Sequence, residues 1–89
     1  MMSRVVNVHV TYDKTKRSIS RQRGSEVRAL RHVFLQVFSD VISDQVAPEN
    51  VTFQRYDERF SDYVELNNDE KLYDDIKLFA LVYKQVWKN

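Results

Sequence analysis

The chain has 89 residues, 43% of them hydrophobic and 12% aromatic, which is enough apolar material for one domain and too little length for two. It contains no cysteine, which excludes a disulfide frame and a thiolate metal site and favours an intracellular, cytoplasmic setting. The net charge is only +1, yet residues 1–34 carry a net +6 and residues 35–89 a net −5, a segregation that bears on association because complementary patches steer encounter. Apolar runs fall far short of the roughly 18 residues that span a bilayer, so no membrane partner is expected. The sequon Asn50-Val51-Thr52 reads as a chance match at a strand.

In chain order, Val6, Val8, Val10 and Tyr12 alternate with Asn7, His9 and Thr11, the period of a half-buried strand. Asp13-Lys14-Thr15 reads as a turn. Lys16 to Gln22 is a second extended run with Ile19 as its only aliphatic residue, and so basic a strand is expected at a sheet edge. Gly24 breaks the chain. Val27, Leu30, Val33, Phe34, Val37, Phe38, Val41 and Ile42 then recur with helical period, predicting a helix over Ser25 to Ser43 with Ser25 as its cap. A helix of that size is marginal alone, so its stripe needs a sheet to cover it.

Asp44 to Asn50 holds the only proline, Pro48, and reads as a loop. Val51, Phe53 and Arg55 alternate as a third strand, and Tyr63 to Leu66 forms a short fourth, reached through the charged turn Asp57 to Asp62. Asn67 to Glu70 is a polar turn, followed by a single helical turn over Lys71 to Ile76 with Leu72 and Ile76 inward. Leu78 to Tyr83 is apolar on both faces and reads as a central strand, covered by the helix on one side and by loops or a partner on the other. Tyr83 and Trp87 read as a buried aromatic pair closing the sheet, with an exposed partner anchor as the alternative.

The order β-β-α-β-β-(short helix)-β, with a polar second strand and a central last strand, resembles the ubiquitin-like β-grasp over residues 1–89. That resemblance implies an α+β roll in which a mixed sheet packs on one helix, the second strand is an edge, and the first and last strands run parallel. The chain ends Val86-Trp87-Lys88-Asn89 rather than Gly-Gly, so tagging chemistry is not expected. A module of this type is expected within a longer multidomain protein.

Within the superfamily, Asp57-Glu58 followed by Asp62-Tyr63-Val64-Glu65-Leu66-Asn67-Asn68-Asp69-Glu70 resembles the acidic motif of Phox/Bem-type interaction domains. The turn departs from that motif at Arg59 and Phe60. The resemblance implies a protein scaffold in signalling, in which an acidic surface (Asp57, Glu58, Asp62, Glu65, Asp69, Glu70) accepts a basic surface of another such domain, with possible homo-oligomers. The basic edge is Lys14, Lys16, Arg17, Arg21, Arg23, Arg28 and Arg31. The same edge resembles that of Ras-association and Ras-binding domains, which implies a small GTPase as the alternative partner. Doublecortin-type tubulin-binding domains are a third relative.

Catalysis is not expected. His9 and His32 lie on different elements without metal-ligand spacing, one glycine cannot build a phosphate cradle, and Asp74-Asp75 reads as a capping and solubility feature rather than an acid–base pair. No cofactor or metal is implied. Nucleic-acid binding through Lys14 to Arg31 is opposed by the eleven acidic residues after Phe34.

Overall fold

The computed structural model describes residues 4–42 and 45–83. Its elements are β1 (Val5–Tyr12), β2 (Thr15–Gln22), α1 (Val27–Val37), a 3₁₀ turn (Pro48–Asn50), β3 (Val51–Asp57), β4 (Asp62–Glu65) and β5 (Ile76–Val82). The strands form one five-stranded sheet in the order β2-β1-β5-β3-β4. β1 and β5 are parallel, with Val10 opposite Leu78, and all other neighbours are antiparallel. This is the mixed ubiquitin-like β-grasp sheet that the element order implies, with β2 and β4 as its edges.

The alternation in β1 works as expected. Val6, Val8 and Val10 are buried, and they are joined on the helix side by Ile19, Leu78, Ala80, Val51 and Phe53. α1 contributes Val27, Leu30 and Phe34. Phe34 sits at the centre, edge-on to Tyr12 (centroids 5.8 Å apart) and to Phe53 (5.6 Å), and tilted on Phe38 at 4.7 Å. Edge-to-face rings of this kind add to the burial term.

Several local expectations are corrected. The helix is shorter than Ser25 to Ser43. It stops at Val37, and Phe38 serves as the C-cap before a tight turn in which the Val41 and Ile42 N–H groups both donate to the Phe38 carbonyl. Phe38 stays fully buried while Val41 is 39% exposed, so the apolar stripe outlasts the helix by one residue and then loses its phase. Ser43 lies outside the described residues.

At the other end, Ser25 is not the cap. The N-cap is Glu26, which makes no side-chain cap bond, and the Ser25 hydroxyl is buried without a partner. The orphan N–H groups of Val27 and Arg28 donate instead to the carbonyls of Glu70 and Asn68, so a distant loop caps the helix.

That capping also explains why Lys71 to Ile76 forms no helical turn. Lys71 bridges to Glu26, and Leu72 donates to Ser25 and accepts from Gly24. The backbone groups a helical turn would need are already spent. Leu72 is buried and Ile76 half-buried, in keeping with their inward expectation. Tyr83 is exposed rather than buried, and Trp87 lies outside the described residues.

Candidate interaction surfaces

Side chains directly opposite across a ladder share a face. Because Val6, Val8 and Val10 face α1, their alternates Asn7, His9 and Thr11 face out, together with Ser18 and Lys16 opposite them. On β5 the outward residues are Lys77, Phe79 and Leu81, and on β3 and β4 they include Tyr56 and its partner Tyr63. No helix or described loop covers this side. Tyr56 is 54%, Tyr63 47%, Phe79 41% and Leu81 39% exposed. Tyr63 packs nearly perpendicular to both neighbours, 5.5 Å from Tyr56 and 5.1 Å from Phe79.

Beside these rings lies a shallow groove of about 430 Å³, lined by His9, Thr11, Lys16, Lys77 and Phe79. The His9 Nδ1 and Ser18 Oγ atoms stand 2.6 Å apart on the same face. Large exposed aromatics gathered on one face are uncommon on a surface that has no partner. The sequence signal was present in the double-faced apolar run of β5, but the rings of Tyr56 and Tyr63 join it only through the β5-β3-β4 order.

The basic residues do not form one patch. Lys14 lies in the β1–β2 turn, whose Asp13 has φ 54°, and Lys16 stands on the outer face. Arg17 and Arg21 pair with Val10 and Val6 and therefore point to the helix side.

Arg17 is committed within the molecule. Its Nη1 donates to the Val37 carbonyl and to Asp40 Oδ1, both at 2.6 Å, its Nη2 donates to Asp40 Oδ2 at 2.8 Å, and its guanidinium lies 5.2 Å from the Phe38 ring. The hydrogen bonds from Arg17 lower the Asp40 carboxyl to about 2 and raise Arg17 above its ordinary value. Arg17 thus satisfies the carbonyl of the last helical residue, one of those a helix end leaves without an intrahelical partner. Arg21 and Arg31 are half-buried with their Nε atoms shielded and unpaired. Arg23 lies 5.9 Å from the Tyr73 ring, and Arg28 is exposed on the first turn of α1 beside His32.

The acidic residues also divide. Asp57 is buried and accepts from the Arg59 backbone N–H at 2.9 Å and from the Arg59 guanidinium at 2.9 Å and 3.2 Å, which lowers its carboxyl. It organises the β3–β4 turn, in which Ser61 has φ 49° and Phe60 is 68% exposed at the tip. Glu58, Asp62 and Glu65 are exposed around that hairpin. Asp69 and Glu70 stand at the far end of β4, in the loop that caps α1, where Glu70 Oε2 also accepts from the Asn67 N–H.

Among the described residues no group of three or more His, Cys, Asp or Glu is arranged to hold a metal ion. Among them, too, no helix is long and apolar enough to cross a membrane.

No family model matches the sequence, and no curated relative does. Solved structures do match. The chain superimposes on the solution structure of an N-terminal ubiquitin-like domain with a TM-score of 0.69 at 12% identity, covering 98% of this chain and 83% of that one. It matches tubulin-binding cofactor B of Trypanosoma brucei with a TM-score of 0.62 at 16% identity, over 92% of this chain and 99% of that one. It also matches ATBAG1, solved in complex with HSP70, with a TM-score of 0.64 at 10% identity, covering 86% of this chain but only 40% of that one. The fold is therefore ubiquitin-like. At these identities the likeness establishes the fold alone.

Proposed function

We propose that this domain is a non-catalytic protein-interaction module that docks a partner on the outer face of its sheet and orients it by charge. One observation carries the reading: the open face presents Tyr56, Tyr63, Phe79 and Leu81 together, between a β2 edge bearing Lys14 and Lys16 and a β4 edge bearing Asp62 and Glu65. Aromatic anchors supply contact area, and the flanking charges fix register. The two charged edges lie at opposite ends of the sheet, so they cannot satisfy each other within one molecule. They suit a second copy in head-to-tail fashion, which builds a ring or an open chain according to the rotation between copies.

Light scattering over rising protein concentration tests this. Oligomers should form, dissolve in high salt, vanish in Lys16→Glu and in Glu65→Lys, and return when those two variants are mixed. A monomer at every concentration removes self-association.

A second reading takes the basic edge as a small-GTPase reader. Its support is that β2 is an edge strand and that Lys14, Lys16 and Arg28 are exposed. Edge-strand addition would supply backbone hydrogen bonds, and the cations would meet an acidic edge. Titration with Ras-type proteins should give binding only in the GTP state, lost in Lys16→Glu and Arg28→Ala; equal or absent binding in both nucleotide states overturns it.

A further inference from the structure

The β3–β4 turn carries a side chain that neither proposed docking mode uses. Phe60 is 68% exposed, the highest value for a large apolar residue among those described. Single exposed apolar residues are ordinary, but this one is held out by a built turn. The Phe60 N–H donates to the Asp57 carbonyl and the Ser61 N–H to that of Glu58, both at 3.2 Å. Asp57 binds the Arg59 backbone N–H and guanidinium, and the Arg59 Cζ lies 6.0 Å from the Phe60 centroid. A backbone fixed in this way has little ordering left to lose on binding. Because Arg59 is paired with Asp57, the unpaired charge around the tip is negative: Glu58 and Asp62 flank it, both exposed.

The outer-face groove has the opposite character. Across the ladders His9 stands between Ser18 and Lys77, and Thr11 between Lys16 and Phe79. These two rows bring two ammonium groups, an imidazole, two hydroxyls and one aromatic wall to a groove of about 430 Å³, and no residue lining it is acidic. Asp75, one row away, accepts from the Asn7 N–H at 2.8 Å, and Glu65 stands on β4 opposite Gln54. Lys16 and Lys77 therefore have no counter-charge of their own within the groove. Phe60 does not line it, so a molecule's own tip leaves it free.

We propose that this groove receives the β3–β4 tip of a second copy, with the Phe60 ring against Phe79 and the Glu58 and Asp62 carboxylates answering Lys16 and Lys77. The contact rests on the self-association reading above and names the two elements that meet. The ring is the anchor, and the lysines set its register. The signs match here and not at the other open groove, of about 590 Å³, where Asp13 stands beside Tyr12 and Val41 and would repel the tip.

Photocross-linking of the full chain tests the contact. Phe60→benzoylphenylalanine is mixed with ¹⁵N-labelled wild type at a concentration where light scattering shows association, irradiated, and mapped by tandem mass spectrometry. Cross-links to His9, Thr11, Lys77 or Phe79 of the labelled copy are expected. Separately, Phe60→Ser should weaken association about 30-fold or more, as loss of a central anchor does, and Lys77→Glu should weaken it too. An equimolar mixture of these two variants should regain a dimer, because it joins an intact tip to an intact groove. Both side chains are exposed, and the cross-linking copy keeps an aromatic tip, so loss of folding does not mimic either result. A monomer at every concentration overturns the self-association reading and the contact with it. Oligomers that vanish in Lys16→Glu and Glu65→Lys but are unchanged in Phe60→Ser, or cross-links confined to Tyr12 and Val41, overturn the contact alone.

Discussion

Phe38 and Val41 lie three residues apart on the same apolar stripe, and the structure assigns them opposite fates. Phe38 is fully buried, 4.7 Å from the Phe34 centroid, 6.3 Å from that of Tyr12 and beneath the Arg17 guanidinium, whereas Val41 is 39% exposed. Truncating a buried Phe to Ala costs about 3–5 kcal/mol in lost transfer energy and cavity. A domain of this length has only about 4–13 kcal/mol of stability, so Phe38→Ala should remove a large part of it. With a urea m-value of about 2 kcal/mol per molar, the unfolding midpoint should fall by about 1.5–2.5 M. Val41→Ala should cost under about 0.5 kcal/mol, as surface changes do. Urea unfolding followed by tyrosine and tryptophan fluorescence measures both. Equal losses from the two variants, or a loss below about 1 kcal/mol from Phe38→Ala, would refute the view that the stripe leaves the helix in the turn after Val37.

Asp40 links stability to pH. Its folded carboxyl is lowered from 3.8 to about 2, chiefly by the hydrogen bonds from Arg17, so it binds fewer protons folded than unfolded. Its contribution is therefore present above 3.8 and is lost as pH falls through that window toward about 2. Acid titration of Asp40→Asn should show lower stability near neutrality and a flatter pH slope in the window; an unchanged slope counts against the pair. Asp57 is lowered in the same direction, chiefly by the hydrogen bonds from Arg59, so the slope should flatten further in the double variant with Asp57→Asn. Gly24 has φ 86°, and a Cβ there would meet only ordinary contact, 3.8 Å from Tyr73 Cε1. Gly24→Ala should thus cost about 1–2 kcal/mol from backbone conformation alone, read as a lower thermal midpoint.

The strand pattern carried most of the fold because its periods are local. Alternation through Val6, Val8 and Val10 sets one face of β1, and a basic run with Ile19 as its only aliphatic residue marks β2 as an edge. The helix ends were illegible for the opposite reason, since the free backbone groups at each are satisfied by residues far away in sequence. Arg17 takes the Val37 carbonyl from twenty residues upstream, and the Glu70 and Asn68 carbonyls cap the N-terminus that Ser25 was expected to cap. A local capping rule cannot anticipate either. The aromatic face was half legible: Phe79 and Leu81 follow from a strand apolar on both sides, but Tyr56 and Tyr63 join them only through strand order.

Charge along the chain is likewise not charge in space. The basic first half contributes β1 and β2, but β5 from the acidic second half lies against β1, and the Arg17–Asp40 pair crosses the division. Arg17 and Asp57 are each spent on an internal partner, which leaves Lys14, Lys16 and Arg28 exposed among the basic candidates and Glu58, Asp62, Glu65 and Asp69 among the acidic ones. Between the two edges the face carries the Phe79, Tyr56 and Tyr63 rings on the β4 side and Asn7, His9, Thr11 and Lys77 on the β2 side. Exposed charges more than a Debye length of about 10 Å apart are largely screened at 0.1 M salt, whereas apolar contact is not weakened by salt. Ionic strength therefore separates the two contributions to association. If the edges dominate, oligomers should dissolve between low and high salt, and Phe79→Ser should have the smaller effect. If the face dominates, association should persist at high salt and be abolished by Phe79→Ser or Tyr63→Ser, with stability changed by about 1 kcal/mol or less in either variant. Association that resists both salt and these substitutions would mean that neither the edges nor the outer face is the site.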